Sequence, residues 1–287
     1  MTVLQAIFLG ILQGVTSMLP VSGSGHMVLA NAVLGSGEPL SMTFVAGIHM
    51  GTLAAVLLVW RRDVSRMFTA AADMLWDLLE NLKIWVVQRR HPESLRYRRL
   101  IHGRYRLRVS FVVTAAACTF VTGFLLRRPA EAAAGSLLYT AMGFFVTALI
   151  LTVSSYTSPA HKKRLFSAKD AMVTGILQGI AVIPGISRMG MVMSASDILG
   201  LPSGFGVYIG CLLCVPSVFG GIIIEILSGS GSVPAPGPGV MLAGILASTV
   251  TSAWMMKHTV RFLARCGRRG FALYALAAGV VSLLVYM

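Results

Sequence analysis

The chain has 287 residues, 56% of them hydrophobic and 12% charged, with a mean hydropathy of +0.78. That balance excludes a soluble enzyme and describes a protein that crosses a membrane several times. A formal net charge of +14 arises from 24 Lys and Arg against 10 Asp and Glu. The basic residues flank apolar stretches and suit anionic lipid headgroups, so nucleic acid is not an expected partner.

In chain order, residues 3–18 and 24–34 are two apolar pieces joined by Leu19-Pro-Val-Ser-Gly-Ser. Each is too short to cross alone, because about 20 residues are needed. Met1-Thr-Val-Leu lacks the basic start of a cleaved leader, so none is expected. Ser41–Trp60 reads as a full span ending at Arg61-Arg62. Over residues 64–88, Leu75, Leu78, Leu79, Leu82 and Val86 recur at helical spacing against Asp73, Asp77, Glu80 and Lys83. With Trp76 and Trp85 the stretch predicts an interfacial amphipathic helix. Residues 89–108 hold eight arginines and read as a basic surface segment.

Val109–Leu126 and Ala133–Val153 are predicted spans, followed by a polar stretch, 155–169, that includes Lys162, Lys163 and Arg164. Residues 170–200 form a second broken apolar element. Phe205–Leu227, Val240–Met256 and Phe271–Tyr286 are the last predicted spans, separated by an uncharged loop at 229–239 and a basic one at 257–269. Cys118, Cys211, Cys214 and Cys266 lie in or beside apolar segments, and Cys211-x-x-Cys214 is read as packing rather than as a redox or metal pair.

The segment 61–108 holds half of the basic residues, which puts it on the cytoplasmic side. Counting spans then places 155–169 and 257–269 inside, 229–239 outside and both termini outside. Three full spans accompany each broken element. Three is odd, so the second half enters from the opposite face. The fold expected is an all-α polytopic membrane protein, an inverted-topology repeat of 1–160 and 161–287 with six transmembrane spans. Two re-entrant helix pairs, 3–34 and 170–200, would meet near mid-membrane.

The broken stretches carry the chemistry. Gly10-Ile-Leu-Gln-Gly14 recurs letter for letter as Gly175-Ile-Leu-Gln-Gly179, and Ser22 and Ser187 stand at the same offset. Each runs through a Gln into Pro, Gly and Ser. In hydrocarbon a broken backbone is tolerated only where protein or a wet cavity covers it. The tips bring Ser22, Gly23, Ser24, His26, Gly185, Ser187 and Arg188 together, with Gln13, Ser17 and Gln178 on the helices leading in. Hydroxyls, open N–H groups and short-helix amino ends favour anions. An arginine within a membrane is costly and usually functional, and its planar fork suits a phosphate. His26 is a candidate nucleophile, general acid–base group or donor.

Leu9-Gly-Ile-Leu-Gln-Gly-Val-Thr-Ser-Met-Leu-Pro-Val-Ser-Gly-Ser-Gly-His26 resembles the first motif of the bacterial undecaprenyl-pyrophosphate phosphatase family, the bacitracin-resistance type. Pro184-Gly-Ile-Ser-Arg-Met-Gly190 resembles its second motif, Pro-Gly-x-Ser-Arg-Ser-Gly, and Val59-Trp-Arg-Arg62 fits as well. The resemblance covers nearly the whole chain. It implies the inverted repeat and the removal of a phosphate from the polyprenyl carrier lipid of peptidoglycan synthesis, in the bacterial inner membrane.

The departures concern the acids. The family's first motif carries two glutamates four residues apart, assigned to catalysis and to a divalent metal. Gln13 and Ser17 stand there in this chain. Met189 and Val192 replace hydroxyl residues of the second motif, and Tyr208 stands where a glutamate is common. Gln cannot transfer a proton and is a weak Mg²⁺ ligand. What remains is the phosphate-binding part. Asp197 is a candidate substitute acid, and Glu225 is expected at the interface.

Whether the chain is an enzyme is therefore open. In one reading it binds or translocates undecaprenyl phosphate or pyrophosphate as a flippase, with Gln13, Gln178, Ser22, Ser187 and Arg188 holding the headgroup. In another, His26 attacks the terminal phosphate, Arg188 stabilises the developing charge, and Mg²⁺ or Ca²⁺ assists. A third is a regulatory or partner-binding role. Glycine richness leaves a homodimer open.

Overall fold

The structure, a computed structural model, describes residues 1–34, 40–90, 96–133, 135–157, 165–202, 204–228 and 233–287. Lys162–Arg164, residues 229–232 of the uncharged loop and the Glu225 side chain lie outside that set. Among the described residues there are eleven helices and no strand. The protein is an all-α polytopic membrane protein. Four helices are long and apolar enough to cross a bilayer: α3 (Met42–Val59), α5 (Gly103–Leu125), α7 (Leu137–Tyr156) and α11 (Pro238–Tyr286). A fifth helix, α10 (Phe205–Ser228), contains a shorter apolar stretch, Phe205–Gly221.

Each broken element is a pair of short helices. The first is α1 (Val3–Met18) with α2 (Gly23–Val33). The second is α8 (Ala168–Ile180) with α9 (Arg188–Ile198). Their ends are closed alike. Thr2 and Gln5 cap α1 reciprocally, at 3.2 and 2.8 Å, and Ser167 and Asp170 cap α8 at 3.3 and 2.9 Å. At the second helices, Ser22 Oγ accepts from Gly25 N at 3.3 Å and Ser187 Oγ from Gly190 N at 3.0 Å.

The glycines of the repeated pentapeptide set the packing. At Gly10 and Gly14 a methyl would strike Gly244, Ser248 and Thr251 of α11, and at Gly175 and Gly179 it would strike Ala115, Thr119 and Thr122 of α5. Thr119 Oγ1 also donates to Gly175 O at 3.0 Å. Small residues thus let α1 lie on α11 and α8 on α5 at backbone distance. They meet partners inside one chain and give no ground for a homodimer.

The last two predicted spans are joined in α11, which has 49 residues. Straight, it would be about 74 Å long, more than twice a bilayer core. It breaks at Gly267, whose φ of 63° is not helical. Before the break it packs on α1 and α3. After it, Phe271 and Ala272 cluster with Leu151 and Val21. The basic stretch 257–269, expected as a loop, is therefore mostly helix extended past the apolar span. Likewise α5 begins at Gly103, inside the predicted basic segment.

The predicted amphipathic helix is α4 (Arg61–Arg90), which exposes Leu75, Trp76, Leu78, Leu82 and Trp85 along one stripe. A short helix, α6 (Arg127–Ala133), joins α5 to α7. The chain returning from α4 is clipped to it. Arg106 Nη1 reaches Asp77 Oδ2 at 2.6 Å and Arg98 Nη1 reaches Asp77 Oδ1 at 3.2 Å. Asn81 exchanges two bonds with the Arg98 backbone, at 2.7 and 2.9 Å.

Bonds from Arg106 and then Arg98 hold the Asp77 carboxyl below its usual range. A depressed carboxylate adds stability that is present above its unfolded pKa and lost as pH falls through the folded one. Amide exchange over residues 97–102, corrected for its intrinsic rate, should therefore stay slow from pH 8 to about 4 and accelerate only below. Asp77→Asn should give the fast exchange already at pH 7.

Candidate functional site

The two tips touch. A Cβ on Gly25 would sit 2.8 Å from Gly185 Cα and 2.7 Å from Phe144 Cζ. Gly185 itself has φ 88°, and a Cβ there would collide with the Thr140 carbonyl oxygen of α7. Only glycine lets the chain turn so close to α7. Thr147 of α7 then fixes the tip, donating to Gly185 O at 2.8 Å and accepting from Ser187 N at 2.9 Å.

Beside this contact lies a cavity of about 50 Å³. The first hairpin lines it with Ser17, Gly23 and Ser24, and the second with Gln178, Ser187 and Arg188. Six of the ten predicted site residues therefore share one space. Met189, Val192 and Cys214 supply an apolar wall. Arg188 lies at the first turn of α9, after the cap Ser187. Among the described residues its guanidinium has no ion-pair or hydrogen-bond partner. An unmatched cation lining a cavity between apolar helices calls for an anion.

The other four stand just behind the lining. Gln13 is 0% exposed, and its Nε2 donates to Ser17 Oγ at 2.8 Å. Gln178, its counterpart, donates to Ser217 Oγ at 2.5 Å. The Oε1 atoms of both are buried and have no hydrogen-bond partner among the described residues. Gly185 shapes the turn. Ser22 is buried with φ 64°, a left-handed conformation uncommon outside glycine and held here by its capping bond.

His26 departs from its expected role. It does not line the cavity, and both ring nitrogens are engaged. Nδ1 lies 2.7 Å from the Ser22 carbonyl, which can only accept, so Nδ1 carries the proton. In the neutral ring Nε2 then accepts from Tyr274 Oη, 2.8 Å away on α11. Phe144 meets the ring edge-on and Tyr274 lies parallel to it. The imidazole is a strut that ties the first tip to α7 and α11, with no lone pair left for a phosphorus atom.

Asp197 is also elsewhere. Its carboxylate forms a two-point ion pair with Arg268, just past the α11 break, and does not line the cavity. Tyr208 accepts from Arg108 Nη1 at 3.1 Å, outside the lining as well. A divalent cation fits poorly: among the described residues the cavity offers hydroxyls and amide oxygen but no carboxylate, and Arg188 repels it. Among the described residues no group of three or more His, Cys, Asp or Glu is arranged for a metal.

Sequence reasoning missed His49 and Thr52 of α3 and Ser217 of α10, all in the lining. The available signal was a lone histidine inside the apolar span 41–60. His49 Nδ1 lies 2.8 Å from the Val45 carbonyl and so carries the proton, which leaves the Nε2 lone pair free.

A family model described as bacitracin resistance protein BacA matches residues 6–281. The undecaprenyl-diphosphatase of Desulforapulum autotrophicum is 31% identical over 291 residues, covering 99% of this chain and 98% of that protein. That of Gemmatimonas aurantiaca is 30% identical over 282 residues, covering 98% and 97%. That of Methanosphaera stadtmanae is 28% identical over 290 residues, covering 99% and 98%.

The tip contact predicts a contrast between two glycines with positive φ. Gly185→Ala meets both strain and the collision with α7, and should cost about 2–4 kcal/mol. Gly103 has φ 74° but open space around it. Gly103→Ala should cost about 1–2 kcal/mol, from strain alone. Thermal melting of the purified variants in detergent measures both, and equal losses would mean that the tip is not clamped against α7.

Proposed function

The chain belongs to the bacitracin resistance protein BacA family, and on that premise we propose that its cavity takes the phosphate headgroup of an undecaprenyl-type carrier lipid. The observation that carries this reading is the Arg188 guanidinium, unpaired among the described residues and facing a cavity lined by Ser17, Ser24 and Ser187. Charge-assisted bonds from a planar fork, with hydroxyls around it, are the usual means of holding phosphate oxygens. At about 50 Å³ the cavity suits a headgroup, and the polyprenyl tail would stay in the surrounding lipid.

The reading extends to carriage rather than efficient hydrolysis. Among the described residues no carboxylate lines the cavity, both nitrogens of His26 are engaged, and Asp197 is paired with Arg268. Removing one general acid–base group costs about 10²–10⁴ in rate, so a site without the pair retains little hydrolysis. Matching caps at Thr2 and Ser167, and at Ser22 and Ser187, support the inverted repeat that such carriage needs. The orientation proposed is that of the basic segments: 61–108, 155–169 and 257–269 in the cytoplasm, both termini outside, in the bacterial inner membrane.

The second reading is an active undecaprenyl-diphosphatase, the name borne by relatives that match over nearly their whole length. Phosphate release from undecaprenyl pyrophosphate by the purified protein, with and without Mg²⁺ or Ca²⁺, separates the two. Little release with the lipid still bound is the expected outcome. Clear turnover that disappears in His26→Ala would restore the diphosphatase. Arg188→Ala should weaken lipid binding about 10- to 150-fold, the loss of roughly 1.5–3 kcal/mol of charge-assisted bonds. Unchanged binding would overturn the site itself. Restoring Gln13→Glu with Ser17→Glu should raise Mg²⁺-dependent release, measured in the same assay.

A further inference from the structure

We propose that His49 is the proton-binding group of the cavity, so that a phosphate headgroup and a proton enter the site together. The inference rests on the headgroup-binding reading and holds whether the lipid is carried or hydrolysed. Among the described residues, the ionisable side chains that line the cavity are His49, Arg188 and Cys214. Guanidinium groups do not give up their proton in proteins and thiols in apolar surroundings are inert, which leaves the imidazole as the group type that exchanges a proton. It comes from α3, which neither repeat motif includes.

The ring is set for the task. Nδ1–H is spent on the Val45 carbonyl at 2.8 Å, one turn back on the same helix. That fixes the tautomer, and Nε2 has no hydrogen-bond partner among the described residues. Arg188 lines the same cavity as the ring, and among the described residues no carboxylate does. Thr16, Ser17 and Met18, the α1 residues that line the cavity with His49, carry no charge. On α11, the elements against α3 are Ser248 and Ser252, also neutral, and α10 contributes Cys214.

While the site is empty, the cavity that already holds the Arg188 guanidinium offers no anion to pair with a second cation. A phosphate between Nε2 and the guanidinium attracts both, so its arrival favours Nε2–H⁺ as a second charged donor. The proton comes from water. No covalent bond is formed or broken. Headgroup binding and protonation are then linked equilibria, each strengthening the other by the same factor. For a carrier, the proton becomes the coupling ion.

The test is calorimetric titration of the full-length protein in detergent with the non-hydrolysable methylene analogue of farnesyl pyrophosphate. Run at one pH in buffers of different ionisation enthalpy, it counts protons taken up on binding. The wild type should take up more protons than His49→Gln, which keeps a polar side chain of similar reach but cannot be protonated. The ligand's own titration is common to both proteins and cancels in the difference. Across pH 6 to 8 the affinity ratio of wild type to variant should fall several-fold. Equal proton counts with binding intact would overturn the role of His49 and leave the headgroup site standing. No saturable heat in the wild type would overturn the headgroup site and the coupling with it. If His49→Gln does not fold, His49→Asn replaces it, and a wild-type count no greater than the ligand's own proton exchange would equally overturn the proposal.

Discussion

A backbone that stops being helical inside a bilayer leaves N–H and C=O groups with no water to satisfy them, and this constraint organises the molecule. Four helix ends meet where the two hairpins turn. The ends are closed by their own sequence: Ser22 and Ser187 each return a hydroxyl to an amide three residues on. What the caps do not reach, α7 does, through Thr147 between Gly185 O and Ser187 N. The hairpins pack into the bundle because α1 and α8 approach α11 and α5 at glycine distance. Packing of the outer helices is thus a condition for the polar tips to exist.

The same arrangement explains why the site selects anions. Once caps and carbonyls are matched to one another, the unmatched group is Arg188, with serine hydroxyls around it and apolar Met189 and Val192 behind. An apolar wall raises the strength of each remaining electrostatic contact. It also limits the ways in which a cation could be balanced. A carboxylate from the protein would neutralise Arg188 and close the site, and Asp197, the acid nearest in sequence, is held away by Arg268. Pairing those two elsewhere keeps the cavity cationic.

Much of this was legible in the sequence because hydrocarbon permits few solutions. Helix positions followed from apolar run lengths, and the broken elements from Gly and Pro inside them. The contact of the tips followed from the repeat, and the cavity gathers Ser17, Gly23, Ser24, Gln178, Ser187 and Arg188 as the motifs suggested. The misses share a cause. His49 and Ser217 reach the cavity from spans without a motif, by helix rotation that run length does not report. His26 looked free because its partner, Tyr274, is remote in sequence. Residues 257–269 looked like a loop because charge marks a membrane boundary, while helix propensity carries α11 on to Gly267.

The position of His26 bears on how a phosphatase-like architecture is used in this chain. A nucleophile needs a free lone pair and room for in-line approach. Here the Ser22 carbonyl and the Tyr274 hydroxyl hold the ring, and Phe144 and Tyr274 pack against it. A ring so held resists the motion that attack requires, yet it links the first tip to α7 and α11 rigidly. If the two repeats move against each other, that link must break or travel with the tip. Tyr274 lies beyond the Gly267 break, on the arm of α11 that packs on α7. The arm before the break packs on α1. Gly267, where an added methyl would meet nothing within 4 Å, separates the arm that holds His26 from the arm that holds the helix leading into the first tip.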